Sequence, residues 1–293
     1  PDKPVRMIVG FSPGGGMDTI ARLLSDKLST TLGQQVVVEN RPGAGGTVAA
    51  AYVANERADG YTILLTETSM LIGPAVYATV GYKPQESFAP IAGVTQAPLA
   101  LVANPSFEAD TMAEFIEVAK AKPGELFYAT PGKATTQHLV VEMLEKSAGL
   151  DLQDAPFQGG APSVAAVVSG EVPLAIVSLS AAVQQAAGGK IKILGITTPE
   201  RVADFPDVPT IGETVKDFSA LPTNFLVAPA GIPAEALAKL SESVGSAMQD
   251  KGLTDALAKQ GLLPVYRSAE ELSADIPGEI ERWTDAYNSV EIK

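Results

Sequence analysis

Gly10–Asp18 reads GFSPGGGMD, a run in which glycine and proline leave mostly backbone to do chemistry. Placed between a strand and a helix, such a turn aims unpaired N–H groups at one point. With the positive end of a helix dipole behind them, they attract carboxylate or phosphate. A tight strand-to-helix connection that binds nothing uses similar residues, but three consecutive glycines exceed what turning requires. Phe11, Pro13, Gly14, Gly15, Gly16, Met17 and Asp18 are therefore the first candidate jaw of an anion site. Thr130–His138 (TPGKATTQH) repeats the design, with a Pro-Gly turn and then hydroxyls that open a helix. Thr130, Gly132, Lys133, Ala134, Thr135 and Thr136 form the second candidate jaw, and two such ends facing one another would grip one anionic group from both sides. Lys133 offers charge to a second anionic group, although a loop lysine is more often simply solvated.

Two sharper chemistries fit the first loop less well. Gly10-Phe11-Ser12-Pro13-Gly14 matches the G-x-S-x-G nucleophile elbow in form. In that motif the residue after the serine donates its N–H to the oxyanion hole, and Pro13 has none. A dinucleotide site would use Glu39, which closes the next strand at the spacing of a ribose-binding acid. Thr19 stands where the third glycine of G-x-G-x-x-G belongs, so a nucleotide-dependent α/β enzyme using Glu39 is the weaker alternative. His138 is the only histidine, and on a first helical turn it is expected to cap or pack rather than catalyse.

Composition narrows the field. The 293 residues carry 34 acidic and 21 basic side chains, a net charge of −13, with no Lys/Arg cluster, which argues against nucleic acid as a partner. An acidic chain that binds an anion must do so locally, through N–H groups and helix ends. Zero cysteines and one histidine leave no disulfide, no thiolate catalysis and no Cys/His metal centre. The lack of cysteine suits an oxidising compartment. No apolar run approaches the ~20 residues of a membrane span; the longest candidate, 165–183, is broken by Glu171 and Pro173. A start at Pro1, close to the first strand, is what a processed mature protein would show.

Strand–loop–helix recurs along the chain. Val5–Phe11, Gln35–Glu39 and Tyr61–Leu65 read as buried strands, followed in turn by helices from Met17 and from Thr47 and by a hydroxyl-bearing end, Thr66-Glu67-Thr68-Ser69. Hydroxyls at the end of a parallel strand face the crevice in which α/β folds bind ligands, though Ser69 could equally cap the next segment. Arg41 reads as a solvated loop residue. Further strands are expected at 99–103, 126–129, 155–158, 172–177, 190–196 and 224–228. Helices are expected at the capping box Thr111-Met112-Ala113-Glu114, over 139–147, after Gly159-Gly160-Ala161-Pro162-Ser163, over 234–248, near 253–260 and over 269–287. The carboxylates at Glu270, Glu271, Glu279 and Glu281 read as solvated helix faces. The rhythm predicts an α/β fold with largely parallel sheets in two domains.

Five motifs in order, GFSPGGGMD (10–18), VENRPGAGG (38–46), DGYTILL (59–65), QHL (137–139) and FPDVPT (205–210), resemble the Bug-type receptors, the extracytoplasmic solute-binding proteins of tripartite tricarboxylate transporters. The likeness runs from Val5 to the last helix. It implies an α/β, type II periplasmic-binding-protein fold with two α/β lobes around a ligand cleft. Residues 1–101 plus 222–293 would form lobe 1 and 102–221 lobe 2, with crossings near Leu101–Asn104 and Leu221–Asn224. It further implies a periplasmic, cofactor-free and metal-free monomer that is not an enzyme. Members of that family take up dicarboxylates, acidic amino acids and aromatic acids, so such a receptor is expected to capture a small carboxylate, a dicarboxylate first and an aromatic acid second, and to present it to membrane transporter subunits. One carboxylate would be gripped by 11–18 and 130–136 with ordered waters assisting, while Thr66, Thr68, Ser69, Gly159, Gly160, Ala161 and Ser178 would line the remaining pocket. Lys133 departs from the pattern, which usually has a small or apolar residue there.

Overall fold

The first third of the chain alternates strand and helix: β1 (Val5–Val9), α1 (Gly16–Leu32), β2 (Val36–Asn40), α2 (Thr47–Ala54), β3 (Thr62–Glu67), α3 (Thr68–Val76) and β4 (Phe88–Gln96). The middle continues with β5 (Leu99–Ala103), α4 (Met112–Ala121), β6 (Phe127–Thr130), α5 (Thr136–Ala148), β7 (Gln153–Pro156), α6 (Gly160–Ser169), β8 (Leu174–Ser178), α7 (Leu179–Ala187) and β9 (Lys192–Ile196). The chain ends with β10 (Thr223–Pro229), α8 (Ala234–Met248), α9 (Lys251–Ala258), β11 (Leu263–Arg267) and α10 (Ala269–Asn288). The structure, a computed structural model, describes residues 1–14, 16–132, 135–157 and 160–288.

Contacts divide the chain into two compact units, Pro1–Gln96 with Thr223–Asp285, and Ala97–Pro222 with the chain from Ala286 onward. The first unit holds a six-stranded sheet in the order β11-β4-β10-β3-β1-β2, and the second a five-stranded sheet in the order β7-β6-β8-β5-β9. Neither sheet is largely parallel, which corrects the expectation from the strand–helix rhythm. β2, β1 and β3 are parallel in the first sheet, and β7, β6 and β8 in the second, but β10, β4 and β11 in the one and β5 and β9 in the other pair antiparallel. The reason lies in the connections. β5 and β10 each enter their sheet from the other unit with no crossover helix before them, so they are not tied to the βαβ direction and lie antiparallel between strands that run the other way, β8 and β9 beside β5 and β3 and β4 beside β10.

α1 forms because Met17, Ile20, Ala21, Leu24, Leu28 and Leu32 recur at helical spacing and bury on one face of the first sheet, with α8 and α9 beside them. Burying a side chain such as Leu24 fully contributes about 1.5–3 kcal/mol. The opposite face packs Ala49, Ala50 and Val53 of α2, Met70 and Leu71 of α3, and Leu272 and Ile276 of α10. In the second unit, α6 and α7 cover one sheet face through Ala166, Val167, Leu179 and Ala182. α4 opens with the expected capping box, Thr111 Oγ1 accepting from the Glu114 N–H and the Glu114 carboxylate accepting from the Thr111 N–H. No described helix is long and apolar enough to cross a membrane.

Candidate functional site

In each unit the candidate loop leaves the middle strand of a three-stranded parallel set. β1 lies between β2 and β3, with Val9 level with both Asn40 and Leu65, so β1 and β2 end together and β3 runs two residues further. From that edge start α1, α2 and α3, so three helix N-termini lie at the same end of the sheet. β6 likewise lies between β7 and β8, with Thr130 level with Pro156 and Ala129 with Ala175, and α5, α6 and α7 start beyond it. Such an edge carries several orphan N–H groups and the positive ends of three dipoles.

On the first edge the loops are laced together. Asp18, 3% exposed, accepts through Oδ2 from the Gly14 N–H and from Arg22 Nε, both at 2.9 Å, and through Oδ1 from Asn40 Nδ2 at 3.0 Å. Asn40 Nδ2 also donates to the Phe11 carbonyl at 3.0 Å, and the Arg41 N–H to that of Val9 at 2.8 Å. Burial pushes the Asp18 carboxyl up, but the hydrogen bonds from Arg22, Gly14 and Asn40 outweigh it and hold the group below the ordinary carboxylate range. Asp18 and the Gly14 N–H, both expected to meet ligand, are thus committed to each other, and the carboxylate is a positioning group for the loop. Pro13, Gly14 and Gly16 are exposed, Phe11 half-buried and Met17 buried in the core; Gly15 lies outside the described residues. The second glycine turn touches the first, since a Cβ on Gly10 would sit 2.6 Å from the Gly46 Cα.

Thr66, Thr68 and Ser69 are all buried. Thr68 Oγ1 accepts from the Thr223 N–H at 2.9 Å, fastening α3 to the start of β10. It lines a cavity of about 380 Å³ between α3, β4, β10, β11 and α10. Ser69 Oγ lies 2.8 Å from the Gly45 carbonyl and 2.9 Å from Glu67 Oε1, so its single proton serves two acceptors. Burial pushes the Glu67 carboxyl up, against the lowering effect of the Ser69 hydroxyl. Glu67 was absent from the expected site, because nothing in TETS distinguishes an acid at a strand end from a solvated one.

On the second edge hydroxyls do the lacing. The Gly132 carbonyl accepts from Thr135 Oγ1 at 2.8 Å and from Thr130 Oγ1 at 3.4 Å, and Thr135 Oγ1 accepts from the His138 N–H at 3.3 Å, capping α5. Gly132 has φ +140°, which a side chain would strain. Thr136 is buried, with its hydroxyl on Gln137 Oε1 at 3.2 Å. Ser178 caps α7 by accepting from the Ala181 N–H, and Gly160 and Ala161 are exposed at the start of α6. Lys133, Ala134 and Gly159 lie outside the described residues. His138 packs as expected, 2% exposed, stacked on Tyr128 and with Nε2 3.4 Å from Glu142.

Glu39, the acid of the nucleotide reading, is engaged by Arg6 in a fork, Nε to Oε1 at 2.7 Å and Nη2 to Oε2 at 2.9 Å. That fork holds its carboxyl below the ordinary range. Arg41 stacks 3.7 Å over the Tyr52 ring. Among the described residues no His/Cys/Asp/Glu group is arranged to hold a metal ion.

The family model described as "Tripartite tricarboxylate transporter family receptor" matches residues 20–291. The chain belongs to this receptor family. It is 34% identical to Protein BugT of Bordetella pertussis over 286 residues, 97% of this chain and 88% of that protein. Among solved structures it is similar to periplasmic binding protein BugD (31% identity, TM-score 0.88, covering 99% of this chain and 98% of that one). It is also similar to R. palustris Rpa4515 with adipate (31%, TM-score 0.92, 99% and 97%). MatC from Rhodopseudomonas palustris with bound malate is a third such neighbour (30%, TM-score 0.87, 98% and 99%). The α/β, periplasmic-binding-protein fold expected from the Bug-type resemblance is therefore that of this chain, and its relatives are solute-binding receptors.

Proposed function

We propose that this receptor works in the periplasm, after loss of a signal peptide, as a non-catalytic monomer. It captures a small carboxylate, a dicarboxylate in the first instance, and delivers it to the membrane subunits of a tripartite tricarboxylate transporter. The two units act as lobes that close on the ligand by hinge motion. The observation that supports this reading is the pair of edges, each with three helices starting beyond a parallel set of strands whose middle member carries the candidate loop. Residues 11–17 grip the carboxylate from one lobe through the backbone N–H groups not bound to Asp18, with Asp18 and the Gly14 N–H holding the shape of the loop. Residues 130–136 grip it from the other, with Ser178, Gly160 and Ala161 nearby. The adipate and malate bound by two similar proteins support a dicarboxylate.

The test is a thermal-melt scan with mono-, di- and tricarboxylates, acidic amino acids, aromatic acids and NAD. A ligand at a hundred times its dissociation constant stabilises by about 2.7 kcal/mol, which for a chain of this size raises the midpoint by several degrees. A rise confined to carboxylates is expected. A rise with NAD alone would overturn the proposal.

A further inference from the structure

Glu67 ends β3 and stands at the N-cap of α3, yet its side chain makes no capping hydrogen bond. Ser178, in the corresponding place of the second unit, caps α7 with its hydroxyl. Glu67 pairs with Asn224 of β10 and lies two residues past Leu65, which is level with Val9, the last residue of β1 before the first glycine loop. Side chains alternate along a strand, and Leu65 packs with Val9, Met17 and Ile20, so Glu67 projects on the side covered by α1. Among the described residues its hydrogen-bond partner is Ser69 alone.

Ser69 Oγ lies 2.9 Å from Glu67 Oε1 and 2.8 Å from the Gly45 carbonyl oxygen. Both are hydrogen-bond distances, and a hydroxyl has one proton to give. With Glu67 ionised, one of the two contacts holds no hydrogen bond. With Glu67 neutral, its own O–H donates to Ser69 Oγ, Ser69 donates to Gly45, and both contacts are satisfied in one chain. That chain ends on the backbone that braces the first loop, since a Cβ on Gly10 would sit 2.6 Å from the Gly46 Cα. No cation stands ready for the ionised form. Of the elements packed against β3, α2, α3 and β10 carry no charged side chain. Arg6 of β1 is taken by Glu39, and on α1 Asp18 holds Arg22, Lys27 reaches Asp250 and Asp26 is exposed. Arg41, in the neighbouring turn, lies on the Tyr52 ring. The Tyr77 hydroxyl, 3.8 Å from where a Gly45 Cβ would stand, is kept neutral by burial. Burial without a cation likewise raises the Glu67 carboxyl.

We propose that Glu67 couples capture to protonation: the receptor holds a carboxylate most tightly with Glu67 neutral, and a receptor with Glu67 ionised takes up one proton from solvent as the ligand enters. The inference rests on the carboxylate reading above. Two effects run the same way. A ligand carboxylate at the first edge disfavours a second negative charge beside it, and a neutral Glu67 releases the Ser69 proton to Gly45, fastening the second glycine turn against the first. Ligand therefore raises the value at which Glu67 titrates. Affinity climbs as the pH falls through the liganded value, by up to about tenfold per pH unit, and levels off below the unliganded one.

Titration calorimetry on the full chain tests this with malate, adipate, glutamate and benzoate, each in phosphate and in Tris, whose different heats of ionisation reveal protons taken up. For whichever of the four binds, wild type should take up protons, and its affinity should rise at least about threefold between about pH 8 and about pH 6. Glu67→Gln, which keeps the shape and donates to Ser69 without titrating, should lose both effects and bind at the higher pH more tightly than wild type. Melting curves show that the variant folds. They also test the group without ligand: wild type should lose stability relative to Glu67→Gln as the pH rises from about 4 to about 8, because a folded value above the unfolded one favours the fold only at lower pH. No proton uptake by wild type, the same uptake in Glu67→Gln, or a stability difference that stays flat overturns the inference and leaves the carboxylate reading standing. Binding of none of the four overturns the carboxylate reading, and the inference with it.

Discussion

The two edges share a plan and differ in the chemistry that stiffens them. The first is held by a charge: Asp18 gathers the Gly14 N–H, Arg22 and Asn40, and through Asn40 the Phe11 carbonyl. Among the described residues the second is held by neutral groups, the Thr130 and Thr135 hydroxyls on the Gly132 carbonyl and the Thr135 cap on α5. A buried, well-bonded charge organises more backbone than a hydroxyl does, but it responds to pH and puts more at stake on one residue. The first edge is therefore the stiffer and more vulnerable half, and the second the more tolerant.

Substitutions should expose this asymmetry in descending order. Asp18→Ala leaves the Gly14 N–H without its acceptor and the Asn40 amide with one of its two, and should cost about 3 kcal/mol, the scale of a hydrogen-bonded charge, read by urea unfolding. Gly10→Ala drives a methyl into the Gly46 backbone and should cost about 2 kcal/mol, as overpacking does, with weaker carboxylate binding in calorimetry. Thr135→Ala removes one cap from the second edge and should cost about 1 kcal/mol. Ser178→Ala, at an exposed cap, should cost no more than about 0.5 kcal/mol. If Thr135→Ala destabilises more than Asp18→Ala, the contrast between the edges is reversed.

Acid sharpens the same contrast. Because the folded state holds the Asp18 carboxyl below its ordinary range, its contribution is complete above the unfolded value of about 4 and fades as the pH falls through the folded one. The stability difference between wild type and Asp18→Asn should therefore stay constant from neutral pH to about 4 and close below it. The difference made by Thr135→Ala should not change over that range.

Much of this organisation was legible in the residues. Met17, Ile20, Ala21, Leu24 and Leu28 announced α1 by spacing, and the glycines and hydroxyls announced both loops. The elements that escaped lack a clean period. β4 (FAPIAGVTQ) carries a proline and a glycine and bulges against β10, and β11 (LPVYR) is a half-buried edge strand with its own proline. α3 (TSMLIGPAV) holds a Gly-Pro pair that reads as a break, and in α7 (LSAAVQQAA) small residues blur the periodicity. The inward role of Asp18 and the pairing of Glu67 with Asn224 depend on register between segments far apart in sequence, which no local pattern encodes. The Asp18 carboxylate looked like part of a binding surface because a first-turn acid is equally at home facing out or folding back on its own loop.

The meeting of Gly10 with Gly46 has a consequence for how this molecule can change over generations. Gly46 has φ +90°, which a side chain would strain, and a Cβ on Gly10 would press on the Gly46 backbone, so any larger residue at either position costs stability. The frame that presents the loops is thereby held at two positions that tolerate little change.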